Sequence, residues 1–302
     1  MLIDRLIFGC GHLTGGASYR DAARLVRRAR DAGIGQFDTA PSYGIGTAEE
    51  AIGRLVGADA TVRITAKVGS ARPEHAWLKT YARLALRALR GPRHAPDYQP
   101  PVSRPQSGCF DPTFMAQSLD ASLKDLRRSR VDLLLLHEAF AEDLTPPVLG
   151  FLEEVRREGR AAAIGYSNGL PYDALLHAGQ PAGLVAQTAI DPAALTVASP
   201  GPEADVNFHS LIKTASWLRR TDPRFARGEA AFTKALGGLP ASELVLPYAL
   251  AARRWPEARL IYATSILQRL DAFLRLVEAL DRARNPEALD AFDEAYAAAA
   301  NN

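Results

Sequence analysis

Cysteine is nearly missing from this chain: its 302 residues hold two, Cys10 and Cys109. A secreted scaffold stapled by disulfides needs more, so a reducing cytoplasm is the expected setting. The two lie far apart with no histidine beside them, so no metal site is expected. No apolar run approaches the roughly 18–20 residues of a membrane helix. The opening MLIDRLIFGCG is apolar but lacks the charged region, long apolar stretch and cleavage site of a secretion signal. Charge of one sign is not in excess either; the formal net charge is +2. A dedicated nucleic-acid binder carries a basic face or stripe, so neither nucleic acid nor membrane is expected as a partner. A G-x-G-x-x-G loop after the first apolar segment is also lacking, because FGCGHLTGG spaces its glycines differently.

What is present is a rhythm. With 47% hydrophobic and 23% charged residues the composition is that of an ordinary globular protein. Short apolar segments at residues 6–10, 35–38, 62–67, 131–136, 162–166, 184–187, 204–208 and 260–263 read as strands. VDLLLL is apolar throughout, as a parallel strand covered on both faces should be. Helical patterns fill the gaps. Ser18 to Asp21 forms a capping box and Gly33 ends the helix that follows. Thr47 to Glu50 repeats the capping pattern. Asp111 then Pro112 reads as a cap with proline at the first helical position. Further helices are expected over 146–157, 172–178, 209–219, 242–254 and 269–279. Eight such strand–helix units predict an α/β fold, a (β/α)8 TIM barrel over residues 1–302 as one domain. A doubly wound sheet is the second choice. Residues 70–110 break the rhythm with a basic amphipathic helix (HAWLKTYARLALRALRGPR) and a proline-rich loop, an insertion after the third strand expected to act as a substrate lid.

Four polar residues stand at or just past strand ends: Asp38, Tyr43, Lys67 and His137. Singly, each has an ordinary explanation: a cap, surface packing, a solvent-reaching lysine, a core histidine. Together at one rim they suit proton transfer, because barrel enzymes draw their reacting groups from the C-terminal ends of strands. A tyrosine ordinarily ionises near 10 and is a poor acid unless a neighbouring ammonium helps it. Asp38 would hold Lys67 charged, and His137 could hydrogen-bond a substrate oxygen. The set suits protonating an oxygen as a hydride arrives at the carbon.

These segments resemble the aldo-keto reductase superfamily. FDTAPSYGIGTAEEAIGRLVG is similar to its Asp-Thr-Ala-x-x-Tyr-Gly signature, ITAKVG to its lysine strand, and SLDASLKDLRRSRVDLLLLHEA to its histidine segment. REGRAAAIGYSNG, LVAQTAIDP and LIYATSILQRL resemble the family's cofactor segments. The resemblance implies Tyr43 as general acid, tuned by Lys67 and Asp38, with His137 orienting the carbonyl. It implies that Gly11, Asp38, Ser167, Asn168, Gln187, Phe208, Thr264, Ser265 and Arg269 hold the cofactor, with Phe208 stacked on the nicotinamide. NADP(H) is the preferred cofactor, through Arg269, with NAD(H) the second choice. The substrate would be a small aldehyde, ketone or sugar lactol, and the alternative is a non-catalytic nucleotide-binding regulatory member. His12, Trp77 and Tyr81 are the candidate substrate contacts, with His94 and Tyr98 behind them. The chain departs from the family pattern at the start, where no β-hairpin precedes the first strand, and at His12, Ala263 and Phe273. Its end, ALDAFDEAYAAAANN, is too short for a long substrate loop.

Overall fold

A computed structural model describes residues 1–14, 18–73, 108–171, 183–196, 206–240, 242–283 and 287–298. Most of the inserted segment, including Trp77, Tyr81, His94 and Tyr98, and the helix expected over 172–178 lie outside the described residues.

The described chain runs β1 (Leu6–Gly9), α1 (Tyr19–Asp31), β2 (Gln36–Asp38), α2 (Ala48–Val56), β3 (Arg63–Val68), α3 (Pro112–Leu126), β4 (Val131–His137), α4 (Pro146–Arg157) and β5 (Ala161–Pro171). It continues with β6 (Leu184–Ala189), α5 (Pro192–Thr196), β7 (Val206–His209), α6 (Leu211–Thr221), α7 (Pro223–Ala235), α8 (Leu246–Arg254), β8 (Arg259–Tyr262), α9 (Leu267–Ala283) and α10 (Glu287–Ala298). All the strand pairings are parallel, and β8 pairs back with β1 to close an eight-stranded barrel. The arrangement is the (β/α)8 barrel expected from the strand spacing.

Local chemistry sets the helix boundaries. The Ser18 hydroxyl accepts from the Asp21 N–H at 3.1 Å, and Gly33 leaves α1 at φ 96°. Asp111 caps α3 by accepting from the Phe114 N–H at 2.9 Å. The Thr47 cap does not form. Its hydroxyl instead reaches Gly44 O at 2.9 Å and Thr14 Oγ1 at 2.8 Å, tying down the turn before α2. α7 and α10 were not anticipated as helices. They pack on each other, with the Phe225 and Phe292 rings 5.4 Å apart and the Tyr296 hydroxyl donating to Asp222 at 2.9 Å. No helix among the described residues is long and apolar enough to cross a membrane.

Side-chain alternation along each strand divides the core. Phe8, Phe37, Ile64, Ala66, Leu134, Leu136, Tyr166 and Phe208 face the helices and join one large apolar cluster. The residues between them face the barrel axis. Gln36 and Thr65 pair there through a 3.2 Å hydrogen bond. Above them, at the C-terminal rim, the same parity brings Asp38, Lys67, His137, Ser167, Gln187 and His209 to the axis. The register links this ring: Gly9 sits opposite Asp38, His137 opposite Ser167, and Ser167 opposite Gln187.

Candidate active site

Asp38 is the last residue of β2 and Lys67 lies one residue before the end of β3. Lys67 is fully buried, and its Nζ donates to Asp38 Oδ2 at 2.5 Å and to Thr39 O at 3.4 Å. The same Nζ stands 4.9 Å from the centre of the Tyr43 ring. Tyr43 begins a tight turn, Tyr43–Gly46, whose next residue, Gly44, has φ 58°. A Cβ at Gly44 would stand 1.8 Å from Thr14 Oγ1, so glycine is needed for both conformation and space. The Tyr43 ring meets His137 edge-on, with centres 5.5 Å apart and planes at 82°. His137, at the end of β4, places Nδ1 2.8 Å from Ser70 Oγ, and Ser42 Oγ lies 3.4 Å beyond. The four residues singled out in the sequence therefore meet. Ser70 joins them, although it showed no signal of its own and stood only as the start of the insertion.

Burial governs the protonation states. It pushes the Tyr43 phenol up to about 12; Lys67 pulls it back only in part. The sequence predicts a net lowering by Lys67, and the buried position reverses that sign, because desolvation penalises the phenolate more than one ammonium relieves it. For Lys67 itself burial pulls down, but Asp38 and Tyr43 outweigh it and hold the ammonium above its usual range. Burial, aided by Lys67 and His209, drives His137 down to about 3, so its imidazole is neutral.

Asp38, Tyr43 and His137 line a cavity of about 760 Å3, with Lys67 buried behind them. Gly11, His12, Ser167, Gln187 and Ser265 also line it. Gln187 Oε1 is buried without a hydrogen-bond partner among the described residues. Asn168 is buried next to Ser167 and donates to Ala139 O at 3.2 Å. Phe208 does not reach the cavity. Its ring packs 5.0 Å from that of Trp255, on the helix side of β7, because it shares parity with Val206. The next residue, His209, is the one that lines the cavity. It donates Nε2–H to Asn168 O at 2.9 Å, with Ser210 Oγ 2.9 Å from Nδ1. Phe273 likewise belongs to the core, stacked 3.9 Å from Tyr262 at 4°.

At the far end of the site Thr264 Oγ1 accepts from the Ile266 N–H at 3.1 Å, just before α9. A smaller cavity of about 230 Å3 lies between this first turn and α1, lined by Asp21, Arg24, Ser265 and Gln268. Ser265 lines both cavities. Arg269 is exposed on α9 and lines neither. Arg24 offers a cation there instead; on sequence it is one arginine among several on an exposed helix face.

Comparison with known proteins agrees with this architecture. D-threo-aldose 1-dehydrogenase from a Pseudomonas species is 29% identical over 179 residues, covering 56% of this chain and 50% of that protein. The chain thus matches about half the length of this curated relative. Aldo-keto reductase AKR11C1 from Bacillus halodurans, in its holo form, superposes with a TM-score of 0.63 at 18% identity, covering 96% of this chain and 91% of that one. A Pseudomonas aeruginosa protein assigned as an aldo-keto reductase gives 0.57 at 20% identity, with 91% of each chain covered. At such identities these two likenesses speak for the fold. A description of the aldo/keto reductase family matches residues 5–174, which span the strands carrying Asp38, Lys67, His137 and Ser167; this chain belongs to the aldo/keto reductase family.

Proposed function

We propose that this protein is a nicotinamide-dependent oxidoreductase that interconverts a small carbonyl compound and its alcohol by hydride transfer. One observation carries the reading: a neutral phenol, a carboxylate and a neutral imidazole line a 760 Å3 cavity at the barrel mouth, with a buried ammonium behind them. Tyr43 gives its proton to the substrate oxygen as negative charge develops there. Lys67, held by Asp38, stabilises the phenolate left behind. The hydrogen bond between Nδ1 of His137 and Ser70 Oγ fixes the imidazole and leaves Nε2 as the nitrogen that meets the carbonyl oxygen. A phenol held near 12 keeps its proton at neutral pH and so has one to give to the substrate oxygen.

The residues fit a nicotinamide dinucleotide. The unpaired Gln187 Oε1 beside Ser167 suits an amide N–H donor. Asn168 is committed to Ala139 through its amide nitrogen and supports this wall. Ser265 joins the main cavity to the smaller one, where the first turn of α9 and Arg24 favour an anionic group. When bound, the nicotinamide supplies the hydride. NADP(H) is the preferred form in this reading, through Arg24, and NAD(H) the second, because Asp21 also lines the smaller cavity. The D-threo-aldose relative suggests an aldose or hydroxyaldehyde as substrate. In this reading the chain is one barrel domain, and the insertion over residues 70–110 serves as a substrate lid. The test is fluorescence titration with NADPH and NADH, followed by turnover on a panel of aldehydes, ketones and aldoses. Binding with turnover of a panel member supports the reading. Tight binding with no hydride transfer to any of them returns the regulatory alternative, and no nucleotide binding removes both.

A further inference from the structure

Glu138 follows His137 directly and is not accounted for by the chemistry above. Its φ is 58°, a left-handed conformation that side chains rarely adopt. Four non-glycine residues in the described chain have positive φ, and three of them, Ile45, Glu138 and Ser210, line the main cavity. Strain gathered at one place needs a local reason. At Glu138 the unusual backbone turns a carboxyl into the cavity wall between β4 and β5. Burial pushes this carboxyl up, the Gly169 N–H and Lys67 drawing it back only in part. Oε2 is buried without a hydrogen-bond partner among the described residues. An acceptor left this way costs free energy unless a ligand satisfies it.

We infer that Glu138 Oε2 accepts a hydrogen bond from a hydroxyl on the carbon next to the reacting carbonyl, and so selects hydroxyaldehydes and aldoses over simple aldehydes. The inference rests on the reductase reading and names its substrate class. Position supports it, since Glu138 neighbours the imidazole that faces the carbonyl oxygen and its charge is felt at Tyr43. The surrounding charge supports it too. Asp38 and Glu138 are balanced by Lys67 behind the site and Lys213 on the cavity wall, so no net charge there calls for a charged ligand over a neutral donor.

The test compares kcat/KM for glyceraldehyde with that for propanal, using NADPH, in the wild type, Glu138→Leu and Glu138→Gln. The two aldehydes differ in hydroxyl groups, and the glutamine variant keeps the side chain's shape should the leucine variant fail to fold. The wild type is expected to favour glyceraldehyde. The leucine variant should shrink that preference by about ten- to a hundredfold, the worth of one hydrogen bond to a charged acceptor. The glutamine variant should shrink it less, because its amide turns a donor toward the cavity. NADPH affinity, read by fluorescence, should stay within about twofold in both, because the contact is to substrate. A wild-type preference retained in either folded variant, equal losses on both aldehydes, or a wild type with no preference overturns the inference. Failure of the wild type to reduce either aldehyde, across the wider panel as well, marks failure of the reductase reading, and the inference falls with it.

Discussion

The Lys67–Asp38 pair fixes the site at the level of single residues. Both side chains are buried, so each depends on the other to offset the loss of water. Asp38→Ala leaves a buried ammonium alone and should cost about 3–5 kcal/mol of stability, measured by urea unfolding. A loss below about 1 kcal/mol, typical of an exposed pair, would mean that the pair is wet. The two flanking groups set the pH response. His137 is neutral above about 3 and Tyr43 protonated below about 12. Neither changes state in the physiological range, so kcat for carbonyl reduction should be flat between about pH 5 and about pH 9. Alcohol oxidation needs the phenolate as base and should rise about tenfold per pH unit over the same range where proton transfer limits the rate. Stopped-flow rates in both directions check this, and a reduction rate that falls through pH 6 to 7 would show a His137 that titrates normally. Asp38, Lys67 and His137 were legible as polar side chains closing apolar strands, and Tyr43 as the phenol in the turn just past one of them. Ser70 and Glu138 were not, since serine in a loop and glutamate after a strand are ordinary surface residues until the fold turns them inward.

The alternation of the strands explains both a success and an error. In VDLLLLHEA and VRITAKVG the inward parity is marked by the polar residue itself, His137 or Lys67. In VNFHS the aromatic residue was taken for the cofactor contact, yet parity sends Asn207 and His209 inward and Phe208 out to Trp255. Counting by twos from the strand, rather than seeking an aromatic, would have pointed to His209. The consequence is measurable. Phe208→Ala should lose about 3–5 kcal/mol in urea unfolding, as a buried ring does. Cofactor affinity at temperatures where that variant stays folded should hold within about twofold. A large loss of NADPH affinity without loss of stability would restore the stacking role. The Thr47 cap failed for a related reason: its hydroxyl is more useful holding the Tyr43 turn through Gly44 and Thr14 than starting α2.

For the molecule as a whole, strand count and spacing were enough to predict a closed barrel, because alternating apolar strands and amphipathic helices leave few architectures that bury both faces. α7 lies between the two helices already expected after β7, over 209–219 and 242–254, and was not anticipated as a third. Its Asp222–Pro223 start repeats the cap-and-proline pattern recognised at Asp111–Pro112. α10 then covers α7, and no residue of α10 lines the main cavity. The closed barrel keeps the tyrosine, lysine and histidine in register, and the central claim is that this arrangement exists to protonate a carbonyl. The most direct measurement is a single-turnover assay of Tyr43→Phe loaded with NADPH, read by loss of reduced-nicotinamide absorbance on mixing with a substrate of the wild type. The account predicts wild-type NADPH affinity and a hydride-transfer rate lower by at least about a hundredfold, the usual contribution of a general acid. Hydride transfer at the wild-type rate from the phenylalanine variant would contradict it.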